Sequence, residues 1–196
     1  MNFLELARKR KSVRKYLPEA VPREVLLRCL EAARLSPSAC NSQPWRFIVV
    51  DDIEQKNRLS EAAFSGIYSM NAFAGTAPVL VVVVSERSSF AAALGSCFRG
   101  TLYSLIDIGI AGEHFVLQAA EEGLGTCWLG WFDEKKVKRA LGLPGSTKID
   151  IILSAGYPVE SEGVEHKRKP LEQVAQFLNK TPVLTGGGAY SGEGES

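Results

Sequence analysis

The stretch Val79-Leu-Val-Val-Val-Val84 is an uninterrupted run of β-branched and aliphatic residues near the middle of the chain. It lacks the polar alternation of a strand with one wet face, so it predicts a strand that is covered on both faces. Residues 45–50, 126–130 and 149–155 have the composition of further strands. We expect the valine run to lie in the interior of their sheet.

Helical patterns alternate with these strands along the chain. They cover residues 3–7, 25–33, 53–65, 103–122 and 133–141, the last with Asp133 as its N-cap. In segment 103–122 apolar residues nearly encircle the axis, which predicts burial on most sides. Gly109 and Gly112 each cost about 1 kcal/mol relative to alanine inside a helix, so they indicate the close approach of another backbone. The interleaving predicts a sheet with helices on both faces.

Length and composition favour one compact domain. The chain has 196 residues, of which 45% are hydrophobic, and this is enough for one substantial core. We predict a single domain over residues 1–178. The remaining segment, 179–196, is rich in Gly, Ser and Glu and is predicted to be a polar tail that is disordered in part.

The balance of charges and the cysteine content indicate which partners and which cellular location to expect. The 23 Lys and Arg residues nearly balance the 22 Asp and Glu residues, so the chain lacks the broad positive field of a general nucleic-acid binder. Four cysteines, Cys29, Cys40, Cys97 and Cys127, show no zinc-like spacing, and no apolar leader opens the sequence. The longest apolar run, 77–84, is far below the roughly 20 residues that a membrane span requires. We expect a cytoplasmic protein without a metal site.

A dense group of cations lies near the start of the chain. Six of the eight residues from 8 to 15 are cationic: Arg8, Lys9, Arg10, Lys11, Arg14 and Lys15. Charges packed this closely repel each other, so the group indicates a bound anion. Arg10 and Arg14, with Ser12 between them, suit a phosphate, since guanidinium groups present fork-like donors. The alternative is a solvated basic helix end.

Two other segments have the composition of ligand-binding loops. Residues 36–45 combine small and amide side chains with two prolines, so Asn41 and Gln43 can bond a polar ring edge from a fixed backbone. The alternative is an ordinary connection with Trp45 as a core anchor. In Gly123-Leu-Gly-Thr-Cys-Trp-Leu-Gly130, glycines bracket a short apolar strand whose end stays accessible. It is not a G-x-G-x-x-G dinucleotide fingerprint, because Trp128 stands where the last glycine is required.

Four segments in the same order resemble the nitroreductase family. They are Arg10-Lys-Ser12-Val-Arg14-Lys-Tyr16, then Ser36-Pro-Ser-Ala-Cys-Asn41-Ser-Gln43-Pro-Trp45, then Gly109-Ile-Ala-Gly-Glu-His-Phe with Gly123-Leu-Gly-Thr-Cys-Trp-Leu-Gly130, and last Arg168-Lys-Pro-Leu-Glu172. The resemblance runs from about residue 3 to residue 178. Each piece is modestly specific, and the four together are much more so.

The resemblance implies a fold, a cofactor and an assembly. The fold is α+β, a three-layer α/β/α sandwich around a mainly antiparallel sheet, and two chains form an intertwined homodimer with FMN at the subunit interface. NADH or NADPH would reduce the flavin. An electron-poor acceptor, of the nitroaromatic or quinone type, would then take the hydride in the same flat pocket, which gives ping-pong kinetics and explains the lack of a separate dinucleotide fold.

The resemblance also assigns roles to single residues. Arg10 would hold the phosphate with Arg168, Ser12 would contact the phosphate or ribityl chain, and Arg14 would reach the pyrimidine side of the ring as its electrostatic stabiliser. The loop residues would cover the ring from the second subunit. The full set of expected cofactor contacts is Arg10, Lys11, Ser12, Arg14, Pro37, Ser38, Ala39, Asn41, Gln43, Asn71 at the flavin edge, Leu129 and Gly130 through their backbone near N5, and Arg168.

One position departs from the family pattern. Some members carry a lysine three residues after the asparagine, near flavin N1 and O2, whereas this chain has Ala74. We expect Arg14 to replace it. We do not assign a catalytic role to His114, because a lone histidine on an apolar helix is more often a core or interface residue.

Rival functions remain at this stage. A quinone reductase, a reductive dehalogenase or an oxidative enzyme of the same family fits these residues equally, because the acceptor is selected by the pocket wall. Part of that wall is expected in residues 85–102, including Phe90, Phe98 and Arg99. A non-enzymatic binder of nucleic acid or of a membrane surface explains the cations alone.

Overall fold

The computed structural model describes residues 2–86, 101–159 and 167–178. The chain divides into two compact units, Met1–Glu160 and Ser161–Ser196. In the second unit the described residues include a short 3₁₀ turn, Leu171–Gln173. The expected polar tail, most of the expected acceptor wall and Cys97 lie outside the described residues, and the single domain over 1–178 stays a prediction.

Within the described ranges of the first unit, four strands form one antiparallel sheet. They are β1 (Trp45–Val50), β2 (Val79–Ser85), β3 (Gly125–Leu129) and β4 (Lys148–Gly156), in the spatial order β1-β2-β4-β3. The valine run forms β2 and pairs with β1 on one side and β4 on the other. Its interior position confirms the sequence expectation, and it leaves β3 at an edge.

Helices cover both faces of this sheet. They are α1 (Phe3–Lys9), α2 (Arg23–Arg34), α3 (Ile53–Phe64), α4 (Tyr103–Glu121) and α5 (Glu134–Ala140). Asp133 caps α5 by accepting a hydrogen bond from the backbone N–H of Lys136 at 3.0 Å, as the sequence predicts. An 11-residue 3₁₀ run, Gly66–Thr76, connects α3 to β2.

The two faces of β2 serve two separate cores. Val79, Val81 and Val83 pack with α2 and α4, while Leu80 and Val82 pack with α3 and α5 on the opposite face. This division follows from the strand period of two. All of these side chains are almost fully buried, and burying each one contributes about 1.5–3 kcal/mol. The layers are thus helices, sheet, helices, which confirms the α+β three-layer sandwich.

Two expectations about α4 are wrong for the single chain. Leu105 and Ile106 are 49% and 50% exposed, so α4 is not buried on most sides. The neighbour of Gly112 is the indole of Trp128 rather than a backbone: a Cβ there would meet it at 2.4 Å. At Gly109 no atom lies within 4 Å of such a Cβ, so its use is not explained by contacts inside the described chain.

None of the helices in the described part of the chain is both long and apolar enough to traverse a bilayer. The cytoplasmic location stays a prediction.

Candidate functional site

The basic segment after α1 is fixed along the edge of the sheet. The backbone N–H of Val13 donates to the carbonyl of Thr126 in β3 at 2.8 Å, and that of Leu17 donates to the carbonyl of Tyr157 at 2.8 Å. Ser12 and Thr126 form an isolated parallel bridge. The start of segment 10–17 is therefore held beside β3, and its end is held beside residues 157–159, which follow β4. The sequence of the segment, rich in cations, does not predict this placement.

Two buried side chains of this segment, Val13 and Tyr16, fix it to the protein. Val13 packs so closely on Gly125 that a Cβ at that glycine would lie 2.5 Å from it, which explains why β3 begins with glycine. The buried Tyr16 hydroxyl lies 2.8 Å from the carbonyl oxygen of Val13 and 2.7 Å from Oγ of Ser154. Burial raises the pKa of Tyr16. With Val13 and Tyr16 turned inward, Arg14 is left on the exposed side.

Arg14 lies near an aromatic ring, a thiol and a hydroxyl group. Its guanidinium carbon is 5.8 Å from the centre of the Phe73 ring, within the range of a cation–π contact. Burial raises the pKa of the Cys127 thiol, and the Arg14 charge and the Ser12 side chain oppose that rise, so all three groups are neighbours. Among the described residues, no carboxylate forms a salt bridge with Arg14. A cation held without an internal counter-ion is suited to an anionic ligand.

Arg10 is directed toward α4. Its Nε lies 3.6 Å from Oε1 of Glu113, too far for a good hydrogen bond but close enough for an ion pair. Both side chains are partly exposed, so this pair contributes at most about 1 kcal/mol. The remaining guanidinium donors have no partner among the described side chains, and they stay available for a phosphate.

Asn71 and Gly130 are close together at the end of β3. The Asn71 side-chain amide donates to the carbonyl of Trp131 at 2.9 Å. Gly130 precedes Trp131 and is exposed, whereas Leu129 is 1% exposed. The backbone at Gly130 is thus open to a ligand beside an amide side chain, as expected from the glycine-bracketed strand.

These contacts link three segments of the chain to one another. Ser12 bridges to Thr126 of β3, and β3 ends just before Gly130 and Trp131. The carbonyl of Trp131 accepts a hydrogen bond from Asn71, and Phe73, in the same 3₁₀ run as Asn71, lies against the guanidinium of Arg14. Three segments separated in sequence, with residues near 12, 71 and 130, are thereby brought into one site of a single chain. Their roles toward a cofactor stay predictions.

The loop 36–44 has an unusual but well-supported backbone. Cys40, Asn41 and Gln43 have φ values of 52°, 50° and 43°, a left-handed region that non-glycine residues seldom adopt. Asp107 of α4 holds the loop, because its carboxylate accepts from the Ala39 backbone N–H at 3.0 Å. The Gln43 backbone N–H donates to Oγ of Ser38 at 2.9 Å, and its side chain donates to Oδ1 of Asn41 at 3.1 Å. The loop is rigid, with both amides exposed.

The loop and the phosphate candidate lie on different sides of α4. Asp107 and Glu113 are six residues apart, which in an α-helix is about 9 Å along the axis and about 120° around it. The loop therefore contacts α4 at a different place from Arg10, a placement in keeping with the expectation that it serves a second subunit. Arg168 belongs to the second unit, and its partnership with Arg10 stays a prediction.

Several contributors were missed by reasoning from the sequence. They are Tyr16, Phe73, Asp107, Glu113, Trp131 and Ser154. Asp107 left a signal, since it is a carboxylate within the apolar stretch 105–110 of α4, and the structure leaves it only 4% exposed. The contacts of Phe73 and Trp131 join residues about 60 positions apart, and no local pattern predicts such pairs.

The family is settled by a model match over most of the chain. Residues 7–69 and 68–157 match the model of the nitroreductase family. The chain belongs to the nitroreductase family. Its antiparallel sheet and two helical layers agree with the fold that solved members show.

Relatives with curated names differ in the activity that they carry. The chain is 32% identical to a protein named NADH dehydrogenase from Thermus thermophilus, over 86% of this chain and 92% of that protein. It is 29% identical to an iodotyrosine deiodinase from Thermotoga neapolitana, over 79% of this chain and 87% of that protein. Among solved structures, an FMN-dependent nitroreductase from Clostridium difficile R20291 superposes with a TM-score of 0.71 at 28% identity, covering 90% and 99% of the two chains.

Proposed function

We propose that this protein is an FMN-dependent oxidoreductase that transfers hydride from NADH or NADPH, by way of flavin N5, to an electron-poor acceptor of the nitroaromatic or quinone type. The observation that carries the proposal is that contacts between three segments bring Ser12, Gly130, Asn71 and Arg14 together in a nitroreductase fold. A structural neighbour named as FMN-dependent supports the cofactor, and a relative named NADH dehydrogenase supports the donor.

The residues present fit the parts of FMN. Arg10, Lys11 and Ser12 supply cations and a hydroxyl for a phosphate dianion. Asn71 and the exposed backbone after Leu129 supply polar contacts for a ring edge. Bound FMN would supply the two-electron chemistry, so few catalytic side chains are required of the protein.

We assign to Arg14 the role of the lysine that some family members carry at the position of Ala74. Ala74 is fully buried, and the residue before it, Phe73, carries the guanidinium of Arg14 against its ring. Arg14 thus places a fixed positive charge at the segment where other members place the lysine. Such a preorganised charge stabilises negative charge that develops on reduction at little reorganisation cost.

The active unit is proposed to be a homodimer with FMN at the subunit interface. In one chain, α1 exposes the adjacent apolar residues Phe3 and Leu4, and α4 exposes the adjacent apolar residues Leu105 and Ile106. The loop with Asn41 and Gln43 contacts α4 at Asp107, about 120° around the helix from the Glu113 that pairs with Arg10. Both observations support a second copy that covers α4 and receives the loop.

A visible absorption spectrum of the purified protein, with and without added FMN, tests the cofactor. We expect the bands of oxidised flavin, and their bleaching by NADH or NADPH. A protein that is still colourless after FMN has been added and the unbound FMN removed by gel filtration would exclude the proposal and would favour a binder that uses only the cations. Parallel double-reciprocal lines are expected for donor and acceptor, whereas intersecting lines would argue against one shared site.

Arg10→Ala tests the phosphate site directly. Loss of a charge-assisted contact is expected to raise the FMN dissociation constant by about tenfold or more, with at most a few degrees of change in the melting temperature of the FMN-free protein. Arg34→Ala, which removes an exposed arginine of α2 paired with Glu31, is the matched control and should retain FMN. Equal FMN content in the two variants would show that Arg10 does not hold the phosphate.

Reductive dehalogenation is the second candidate function. It is favoured by the iodotyrosine deiodinase relative, which matches most of the chain. In that reaction a carbon–halogen bond is replaced by carbon–hydrogen, with two electrons from the reduced flavin, a proton from solvent and release of halide. Release of iodide from an iodophenol during NADPH turnover would support it, and turnover of a nitroaromatic without any iodide release would support the first candidate.

A further inference from the structure

Trp131 makes three contacts with the 3₁₀ run although its side chain is 52% exposed. Its indole N–H donates to the carbonyl of Ile67 at 3.2 Å, and its own carbonyl accepts from the Asn71 amide at 2.9 Å. Its ring centre lies 5.2 Å from that of Tyr68, at an interplanar angle of 52°. A tilted pair at this distance is a favourable aromatic contact.

These contacts fix how Asn71 is presented to a ligand. A backbone carbonyl accepts only, so the group of Asn71 that binds Trp131 is its NH₂. The amide oxygen is then free to accept a hydrogen bond from an N–H or O–H donor of a ligand, and the second N–H of the amide stays available as a donor. Gly130, next in the chain to Trp131, offers a donor, since its exposed backbone carries an N–H.

We propose that Trp131 is a positioning residue that holds Asn71 and Gly130 as one unit, so that the polar edge of the flavin meets an acceptor at Asn71 and a donor at Gly130. This inference rests on the proposed function and extends it. The indole bond to Ile67 fixes the conformation of Trp131 and hence the direction of the carbonyl that orients Asn71. The exposure of Trp131 means that its replacement does not open a cavity in either core.

The experiment is a double-mutant cycle on FMN binding. Trp131→Leu and Asn71→Ala are made singly and together, and FMN affinity is measured by quenching of flavin fluorescence. Each single change is expected to raise the dissociation constant by about tenfold, since each disrupts a hydrogen-bonded contact. The double variant is expected to lose no more than about tenfold, because both changes remove the same oriented amide.

Further variants separate positioning from folding. Trp131→Phe keeps the ring against Tyr68 but removes the indole N–H, so its loss should be smaller than that of Trp131→Leu. Tyr68→Leu removes the ring contact from the other side and should couple to Asn71→Ala in the same way. Ile53→Ala, which shortens an equally exposed apolar side chain on α3, is the control and should bind FMN like the wild type. The bound-flavin absorption maximum should shift in the Trp131 variants and not in the control.

The outcomes distinguish this proposal from the proposed function. Losses that multiply to about a hundredfold in the double variant would overturn the positioning role, as would wild-type affinity in Trp131→Leu. Wild-type protein that binds no FMN would overturn the proposed function together with this inference. Coupling between residues 131 and 71, with an unchanged melting temperature, would support it.

Discussion

Among single residues, Arg14 shows how a charge can be placed by an aromatic ring. Its guanidinium lies over Phe73, and none of the described carboxylates pairs with it. If it stands in for the missing lysine, it stabilises the reduced flavin more than the oxidised one. Its role therefore belongs to the flavin's redox equilibrium more than to FMN affinity.

Arg14→Ala is expected to lower the midpoint potential of bound FMN. A loss of about 1.4 kcal/mol of differential stabilisation corresponds to about 30 mV for a two-electron couple. Redox titration against a reference dye measures this shift. Lys15→Ala, which removes the neighbouring exposed cation, is the control. An equal shift in both variants would mean that only the general positive charge matters.

Cys29 gives a pH dependence that can be worked out from its environment. Burial raises the pKa of its thiol from 9.0 to about 12. Because the folded-state pKa is the higher one, the folded chain binds more protons than the unfolded chain between these values. The contribution of the buried Cys29 thiol to the free energy of unfolding is complete below pH 9 and is lost as the pH rises toward 12.

Stability should therefore fall between pH 9 and pH 12, and less steeply in Cys29→Ala. Urea unfolding at a series of pH values measures both slopes. Cys127 and Tyr16, whose pKa values burial also raises, remain in the variant, so part of the decline persists. Identical slopes in wild type and variant would show that Cys29 does not ionise across the unfolding transition.

Among the elements, the packing of the basic segment, residues 10–17, against β3 determines where the cations of the candidate site lie. A Cβ on Gly125 would meet Val13 at 2.5 Å, closer than real contacts allow, so the segment must move away from β3. Gly125→Ala is expected to destabilise the fold by about 1–3 kcal/mol and to weaken FMN binding as well. Thermal melts and FMN titration measure the two effects.

Gly145→Ala is the matched control for this change. Among the described residues, no atom lies within 4 Å of a Cβ at Gly145, and the backbone of this glycine is not in the left-handed region. It should leave both stability and FMN binding nearly unchanged. Loss of stability in Gly125→Ala with full FMN affinity would show that the segment's position along β3 does not set the phosphate site.

The elements also show where sequence reasoning succeeds and where it fails. The valine run predicts β2 and its interior position, because only a strand with two covered faces places consecutive valines inside. The left-handed backbone at Cys40 and Gln43 is not predictable, since neither residue type favours it and the support comes from the distant Asp107. The basic segment was recognised by its charge, but its strand-like pairing depends on Thr126, more than 100 positions away.

For the whole molecule, the uncovered face of α4 is the feature that one chain does not explain. The sequence predicts burial on most sides of this helix, yet Leu105 and Ile106 are about half exposed. The prediction fails because a periodic pattern records that a face is apolar but not which chain covers it. The proposed second copy would resolve the difference between pattern and structure, and it would place each loop 36–44 against the partner's site.

Leu105→Asp tests this assembly together with the site. A charge on the apolar face of α4 is expected to prevent association, because burying an unpaired carboxylate costs several kcal/mol. Light scattering should then give the mass of one chain, and FMN should be lost with the dimer, since a monomer lacks the partner's loop. Ile53→Asp places the same charge on an exposed apolar residue of α3 and should leave both mass and FMN content unchanged. A monomeric Leu105→Asp that retains FMN would show that one chain completes the site, and it would leave the loop with Asn41 and Gln43 without a role in the cofactor contact.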